Sequence, residues 1–399
     1  MAGSDQTAKK KSGKGDNMNR KRISAAILAG ALATSVLAGC GKQGNTGTTE
    51  LSTENRVSTE AVTETVGETQ TNETQIEETQ NETSQMEDTQ NEQPQYPEII
   101  SKGKVKKYES VVTVGDAGYE LYTYLDDTAS NYAKSVNKTA DALNGKADVY
   151  DIVIPLSSEI TFPDNLRDQI NSSNQGDAME KIRGMMDEKV HTVDIYDSLM
   201  EHRLEYIYFR TDHHWTALGA YYAYEDFCEA KGMEPATLDS YETQEFEGFL
   251  GSFYNDTGDA KLKANPDTVT AYLPKSDSIL HVTASDGTKY DWPVIYDVSN
   301  YGASLKYSTF IASDNPYTEI ENKSLSDNSA CIVVKESFGN AFVPFLVDHY
   351  QTIYVIDYRY WTGSICELAE EKGATDVIFL NNLSMIRNKS LVGKLHRVV

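Results

Sequence analysis

The chain has 399 residues and a formal net charge of −25 at pH 7. A chain this acidic lacks the basic face that displaces counterions from phosphates, which argues against a nucleic-acid partner and favours a neutral or only locally charged substrate. Beyond Cys40, the cysteines Cys228, Cys331 and Cys366 are odd in number and widely spaced, so neither a disulfide framework nor a cysteine metal site is indicated.

The first residues have the layout of a secretory signal. A group of lysines and arginines ends at Arg22, and an uncharged run rich in Ala, Leu and Ile extends from residue 23 to residue 39. This run is too short for a stable membrane-spanning helix, and the small residues Ala38 and Gly39 before Cys40 suit a lipoprotein signal peptidase. We therefore predict a lipoprotein signal peptide over 1–39, a lipid anchor on Cys40 and an extracytoplasmic location at the cell membrane. The alternative is a single transmembrane helix that ends at a chance cysteine.

Residues 40–100 consist mainly of Thr, Glu, Gln, Asn, Ser and Gly, with imperfect repeats such as NETQ at 72–75. Such a segment has too few apolar residues to bury a core. Repulsion between its glutamates should keep it extended. We predict a disordered tether that holds the folded part away from the membrane.

From residue 101 to residue 399 the composition predicts one large domain in which strands are followed by helices. Asp151–Pro155 and Glu205–Arg210 are apolar runs that indicate strands, and residues from Trp215 to Lys231 have helical spacing. Between about 241 and 328 the patterns are shorter, with Asp-Gly and Pro turns, which predicts a β-rich insertion.

The C-terminal part has the clearest pattern. Strands are indicated at Cys331–Val334, Thr352–Ile356 and Asp376–Leu380, and helices lie between them at Phe338–Tyr350 and Ser364–Lys372. An alternating order of this kind predicts an α/β fold with a parallel sheet flanked by helices.

Two polar motifs follow predicted strands, at the edge where parallel sheets carry their active sites. They are Thr211–Thr216, with the sequence TDHHWT, and Glu336–Asn340, with the sequence ESFGN. A serine at a strand-to-helix turn exposes its hydroxyl, and a histidine beside a carboxylate supplies a base. A serine before a helix is also an ordinary helix cap, and an Asp-His-His run also suits a hydrogen-bonded loop or a partial metal site.

The segments YFRTDHHWTALGAYYAY (208–224) and ESFGNAFVPFL (336–346) resemble the DHHW protein family, which is similar to the SGNH hydrolase-like alginate O-acetyltransferases. The likeness extends from about Tyr108 to the C-terminus and implies an SGNH-hydrolase-like sheet. In the O-acetyltransferase relatives an Asp-x-His-Trp motif precedes the serine along the chain. The resemblance therefore implies that Asp212 orients the base, His214 is the base and Ser337 is the nucleophile. His213 falls on the variable position, and its role is open.

Other residues of these motifs are expected to support the site. Glu336 stands where the relatives usually carry Asp, and its longer side chain changes how the turn is braced. Asn340 either donates to an oxyanion or caps the helix, and we favour the cap. After the next strand, Arg359, Tyr360 and Trp361 either contact a polysaccharide or pack in the ordinary way.

The function implied by the resemblance is acetyl transfer to a secreted or cell-wall polysaccharide through an acyl-serine, without a cofactor. The acetyl donor would be handed over by a membrane-bound O-acyltransferase. If water reaches the acyl-enzyme instead of a sugar, the same residues make a carbohydrate acetylesterase. A non-catalytic glycan-binding surface protein with the same fold is a further alternative. A divalent-metal phosphoesterase would need Asp or His ligands at other strand ends, and the sequence offers no convincing set, so no metal is predicted.

Overall fold

The structure is a computed structural model that describes residues 95–399. The predicted signal peptide, the anchor at Cys40 and the tether up to residue 94 lie outside the described residues. Residues 95–100, the last of the predicted tether, form no helix or strand, and Ile99 exchanges hydrogen bonds with Asp164 through its backbone. Between residues 95 and 399, none of the helices combines the length and the apolar character needed to cross a membrane.

The strands in the described residues form three sheets. They are β1 (Val105–Lys107), β2 (Val111–Val114), β3 (Ala117–Glu120), β4 (Asp148–Ile154), β5 (Val190–Val193), β6 (Glu242–Phe249), β7 (Asp267–Leu273), β8 (Ser278–Thr283), β9 (Lys289–Trp292), β10 (Tyr317–Asn322), β11 (Ala330–Lys335), β12 (Thr352–Asp357) and β13 (Asp376–Asn382). Strands β1 to β3 make a small antiparallel sheet, and β6 pairs with β7.

The helices in the described residues are mostly short. They are α1 (Asp126–Leu143), α2 (Ser157–Ile160), α3 (Gln175–Arg183), α4 (Tyr196–Glu201), α5 (Ala217–Lys231), α6 (Ser252–Thr257), α7 (Ala260–Ala264), α8 (Gly339–Leu346), α9 (Ile365–Lys372), α10 (Leu383–Ile386) and α11 (Lys389–Val398). Three 3₁₀ helices cover Asp164–Gln169, Leu238–Ser240 and Ala303–Thr309.

The main sheet has eight strands in the order β5-β4-β13-β11-β12-β10-β8-β9. The first five are parallel to one another, and β10, β8 and β9 extend the sheet in antiparallel fashion beyond β12. Strand β11 is buried along its whole length, as its run of apolar residues predicts for a strand covered on both faces. The predicted parallel sheet flanked by helices is confirmed.

Helices cover both faces of this sheet. Successive residues of β4 show it: the Tyr150 ring contacts Phe227 of α5, whereas Asp151 accepts a hydrogen bond from Tyr132 of α1. Since side chains alternate along a strand, α1 and α5 lie on opposite faces. Helix α8 packs with α5, and α9 and α11 pack with α1.

The predicted strand at Glu205–Arg210 is wrong. Its residues fold back on the TDHHWT motif: Tyr208 forms an isolated bridge with Trp215, and the Phe209 amide donates to the carbonyl of His214. The apolar side chains of this run are buried in the core. Periodicity cannot distinguish such a buried irregular segment from a buried strand. The helix that follows is confirmed as α5, which Thr216 caps through the Gly219 amide.

Candidate active site

The serine turn follows the central strand β11. Lys335 ends the strand, Ser337 is half-buried at the turn and Gly339 opens α8. A Cβ atom on Gly339 would lie 2.6 Å from the Cβ of Lys335, so the close turn needs glycine at this position. The turn therefore presents the Ser337 hydroxyl at the carboxyl end of a buried parallel strand, where active sites of such sheets lie.

Ser337 is joined to the DHHW motif by a continuous chain of hydrogen bonds. The His214 Nε2 atom lies 2.8 Å from Ser337 Oγ, and the His214 Nδ1 atom lies 2.6 Å from Asp212 Oδ1. The second carboxylate oxygen of Asp212 accepts the Ser252 amide at 2.8 Å. The structure thus brings together the three residues for which the resemblance implies the roles of nucleophile, base and orienter, although 123 positions separate His214 from Ser337.

The Asp212 side chain is held by close backbone contact. A Cβ atom on Gly251 would lie 2.2 Å from the Asp212 side chain, so only glycine leaves room for the carboxylate. Gly251 and Ser252 were not identified from the sequence. They lie just after β6, in a segment without a motif, and the fold alone brings them to Asp212.

The charges of the site suit a neutral base. Burial and the neighbouring His213 lower the pKa of His214 to about 4, against the opposing effect of Asp212. Burial raises the pKa of Asp212, but the two histidines and the hydrogen bonds to this carboxyl outweigh it and hold the pKa well below its usual range. At neutral pH, His214 is therefore uncharged and Asp212 is ionised. An Asp212 carboxylate at Nδ1 favours the tautomer whose Nε2 lone pair faces Ser337.

Trp215 and Phe338 connect the two motifs. The Trp215 indole N–H donates to the carbonyl of Phe338 at 2.9 Å. The Phe338 ring lies 4.9 Å from the His214 ring and is fully buried. Because the last residue of the DHHW motif binds the serine turn directly, the distance between His214 and Ser337 is fixed by contacts on both sides.

His213 lies beside the hydrogen bonds that join Asp212, His214 and Ser337 and takes no part in them. Its backbone N–H and its Nδ1 atom lie 3.1 and 2.7 Å from the Ser252 hydroxyl. Its ring centroid is 4.0 Å from that of His214. The structure therefore places His213 as a neighbour that supports the loop and influences the charge of His214.

Glu336 braces the serine turn. Its Oε2 atom accepts the Phe338 amide at 3.2 Å and lies 3.3 Å from Ser337 Oγ. Its Oε1 atom accepts the Asn382 amide at 3.2 Å, at the end of β13. Burial raises the pKa of this carboxyl. The side chain thus connects the turn to the neighbouring strand.

Asn340 does not cap the helix, so the favoured prediction for this residue is wrong. Helix α8 begins after Phe338 without a side-chain cap. The Asn340 oxygen instead accepts from Lys335 Nζ at 2.6 Å, and its amide donates to Asp314 at 2.9 Å. The reason is the buried Lys335 ammonium, which needs acceptors more than the helix end needs a cap.

Arg359 belongs to the same buried ionic cluster, defined by Asp314, Lys335, Asn340, Asp357 and Arg359. The guanidinium lies 2.6 Å from Asp357 and 2.8 Å from Asp314, and its side chain is 10% exposed. These carboxylates bind Nε and Nη2 of Arg359, so of the two alternatives for this residue the structure favours packing within the fold. Tyr360 is exposed and Trp361 half-buried, so a glycan contact by these two residues stays a prediction. Asp314 and Lys335 were not identified from the sequence.

Asp212, His213 and His214 are close enough together to be considered as metal ligands, but their hydrogen bonds compete with an ion. Asp212, His213 and His214 offer ligand atoms within 4.8 Å of one another. Both oxygens of Asp212, both ring nitrogens of His214 and Nδ1 of His213 are already hydrogen-bonded. An ion would have to replace these bonds, so we assign no metal ligand here.

Tyr307 also belongs to the site and was not identified from the sequence. Its ring stacks on His214 at 4.1 Å between centroids and 13° between planes, and its hydroxyl donates to the Ser337 carbonyl at 3.0 Å. It comes from the 3₁₀ helix at Ala303–Thr309. One tyrosine among 25 carries no sequence signal of such a role.

Several solved structures are similar to this chain. A solved DHHW family protein from Eubacterium siraeum is 29% identical over 74% of this chain and 98% of its own, with a TM-score of 0.67. Bacillus cereus PatB1, solved with a sulfonyl adduct, is 17% identical over 75% of this chain and 99% of its own, with a TM-score of 0.58. The O-acetyltransferase domain of Pseudomonas putida AlgJ is 11% identical over 74% of this chain and 99% of its own, with a TM-score of 0.41.

The search of curated proteins gives no match. The predicted fold class, an SGNH-like α/β sheet flanked by helices, is confirmed. A family profile described as DHHW protein matches residues 52–356, which is more than half of the chain. The chain therefore belongs to the DHHW protein family.

Proposed function

We propose that this protein is an extracytoplasmic, lipid-anchored serine acyltransferase that O-acetylates a secreted or cell-wall polysaccharide. The observation that carries the proposal is the hydrogen-bonded chain from Asp212 through His214 to Ser337, at the carboxyl end of β11. This is the arrangement of nucleophile, base and orienter that acyl transfer through a serine requires.

In the first step, Ser337 Oγ attacks the carbonyl carbon of the acetyl donor while His214 Nε2 takes the hydroxyl proton. The bond between the carbonyl and the donor's leaving group breaks, and the imidazolium returns the proton to that leaving group. Asp212 holds the ring and stabilises its positive charge. The product is an acetyl ester on Ser337.

In the second step, a sugar hydroxyl attacks the acetyl-serine. His214 Nε2 accepts the proton of that hydroxyl and then gives it to Ser337 Oγ as the ester bond breaks. Attack by water in place of the sugar gives acetate and makes the enzyme an esterase. The two activities use the same residues and differ only in which acceptor reaches the serine.

The proposed location rests on the sequence before the described residues. The signal layout before Cys40 and the polar segment after it would place the fold outside the membrane on an extended tether. We propose that a membrane-bound O-acyltransferase supplies the acetyl group there. Such an arrangement keeps Ser337 near a donor at the membrane and within reach of a growing polysaccharide.

The test uses purified full-length protein in detergent with p-nitrophenyl acetate as donor. Wild type should release p-nitrophenol, and Ser337→Ala and His214→Ala should lower kcat by about 10³-fold or more. Tyr350→Phe, which changes a buried tyrosine between α8 and β12, serves as the control and should keep the activity. An inactive wild type, or variants as active as wild type, would overturn the serine mechanism and favour the non-catalytic reading.

A second test follows from the sulfonyl adduct of PatB1. A sulfonyl fluoride reacts with an activated serine by forming an O–S bond and releasing fluoride. We expect phenylmethylsulfonyl fluoride to label Ser337 in wild type and to leave it unlabelled in His214→Ala, because the base is lost. Peptide mass spectrometry locates the label, and labelling at another residue would contradict the assignment.

A further inference from the structure

We infer that Tyr307 takes part in the chemistry through His214: its ring stabilises the protonated imidazole, and its hydroxyl fixes the main chain at Ser337. This inference rests on the proposed acyl transfer. It makes Tyr307 a positioning residue that selectively favours the charged state formed during the reaction.

The first argument is the stacking geometry. The two rings are 13° from parallel with centroids 4.1 Å apart, so the imidazole lies over the face of the phenol. The face of an aromatic ring carries negative charge and attracts a cation more strongly than a neutral group. His214 is neutral before the reaction and cationic once it holds the Ser337 proton. The contact is therefore stronger in the transition state than in the ground state, which is the condition for catalysis.

Other groups also face His214. Asp212 and His213 lie on its own loop, and Asp314 lies on the segment that follows Tyr307. Glu336 lies on the serine turn, with Oε2 3.3 Å from Ser337 Oγ. Burial and His213 lower the pKa of His214, whereas Asp212 and Asp314 raise it. Burial holds the pKa of Tyr307 itself well above its ordinary range, so the phenol remains neutral and keeps its proton for the Ser337 carbonyl.

The second argument is how firmly the ring is held. Before the ring, Lys306 donates through Nζ to the carbonyls of Val298 and Ser299. After the ring, Thr309 donates to the carbonyl of Tyr296 at 2.8 Å. Tyr307 is therefore fixed on both sides within a few residues of the stacked ring.

The backbone beyond this segment adopts an unfavourable conformation. Ile311, Ala312 and Ser313 have φ of 43°, 57° and 67°, a left-handed run that side chains other than glycine rarely adopt. Asp314 follows directly and binds Lys335, Asn340 and Arg359. The run is thus followed by a carboxylate that binds Lys335 before the serine turn and Asn340 after it. Tyr307 contacts the same turn at the Ser337 carbonyl. A strained backbone held by such contacts fits a segment whose task is to fix the position of a reacting group.

Ordinary core packing is the competing explanation of Tyr307, and the sign of a pKa change separates the two. If the ring only fills space, its removal admits water, and the pKa of His214 rises towards its usual value. If the ring stabilises the cation, its removal lowers the pKa of His214 further, by about half to one pH unit. The two explanations therefore predict shifts in opposite directions.

The experiment compares Tyr307→Phe, which keeps the ring and loses the hydroxyl, with Tyr307→Leu, which loses both. Full-length protein with labelled histidine is titrated by NMR, with the His214 signals assigned by means of His214→Gln. The pKa of His214 should stay within a few tenths of wild type in Tyr307→Phe and fall in Tyr307→Leu. The kcat for p-nitrophenyl acetate should fall about three- to tenfold in Tyr307→Leu, as the lost cation contact predicts.

Two controls keep the result interpretable. Tyr350→Leu removes another buried ring and should leave the pKa of His214 unchanged. If Tyr307→Leu does not fold, Tyr307→Met carries the same expectation, because its longer and more flexible side chain adapts to the space of the ring without an aromatic face. A raised or unchanged pKa in the ring-less variant overturns the inference. Because the titration needs no turnover, it tests the role of Tyr307 separately from the proposed acyl transfer.

Discussion

The Glu336 carboxylate offers the most direct structural test of the serine turn, because it binds both the turn and the end of β13. In Glu336→Asp the side chain is one methylene shorter, so the carboxylate cannot keep both the Phe338 and Asn382 amides at 3.2 Å. One buried N–H then loses its partner, at a cost of about 1–3 kcal/mol. The missing methylene adds about 1 kcal/mol. We therefore expect a loss of about 2–4 kcal/mol in the free energy of unfolding.

Urea unfolding followed by circular dichroism measures this loss, and kcat for p-nitrophenyl acetate reports the position of Ser337. Glu247→Asp, an exposed substitution on β6, is the matched control and should change stability by less than about 0.5 kcal/mol. If Glu336→Asp is as stable and as active as wild type, the turn does not depend on the bond to Asn382. In that case the reasoning about the longer side chain is wrong.

Four further predictions concern charge and metal binding. Burial is the main cause that lowers the pKa of His214 to about 4, so kcat/KM should stay high in mildly acidic buffer and fall only near pH 4, as a pH–rate profile would show. Replacing the orienter by Asp212→Asn should lower kcat by about 10⁴-fold. Burial raises the pKa of Asp151 to about 7 despite the hydrogen bond from Tyr132. The contribution of this carboxyl to stability is therefore fully present below the unfolded pKa of 3.8 and is lost as the pH rises through 7. Asp151→Asn should therefore stabilise the protein at pH 8 by up to about 4 kcal/mol and have little effect at pH 4, as urea unfolding at the two pH values would show. A chelator should leave acetyl release unchanged, and loss of activity that zinc restores would point to a metal at the His213 loop instead.

The C-terminal half of the fold was predictable because its apolar runs are short, bounded by turns and separated by helical segments. The strands β11, β12 and β13 could therefore be identified close to their observed limits. The antiparallel extension by β8, β9 and β10 could not be placed, since pairing between distant strands leaves no local pattern. The run at 205–210 was misread because burial alone made it look like a strand.

The candidate site was predictable to a similar extent. Asp212, His214 and Ser337 belong to two recognisable motifs, and the resemblance to the DHHW family indicates that they meet. The rule that parallel strands carry active sites at their carboxyl ends holds for Ser337 after β11, whereas no strand of the described residues ends directly before Asp212. Gly251, Tyr307 and Asp314 lie in segments without a regular pattern, and their contacts with the motifs exist only in the folded chain. Asn340 shows the limit of motif reading: its position suggests a cap, but the buried charge of Lys335 decides its contacts.

The central claim is that Ser337 carries the acyl group between donor and acceptor. The most direct measurement is mass spectrometry of full-length protein, quenched in acid within seconds of mixing with p-nitrophenyl acetate. The account predicts one acetyl group on the peptide that contains Ser337, no acetyl group there in Ser337→Ala, and faster loss of the group when an acceptor oligosaccharide is added. Substrate turnover without any acetylated Ser337, or with the acetyl group on another residue, would contradict it.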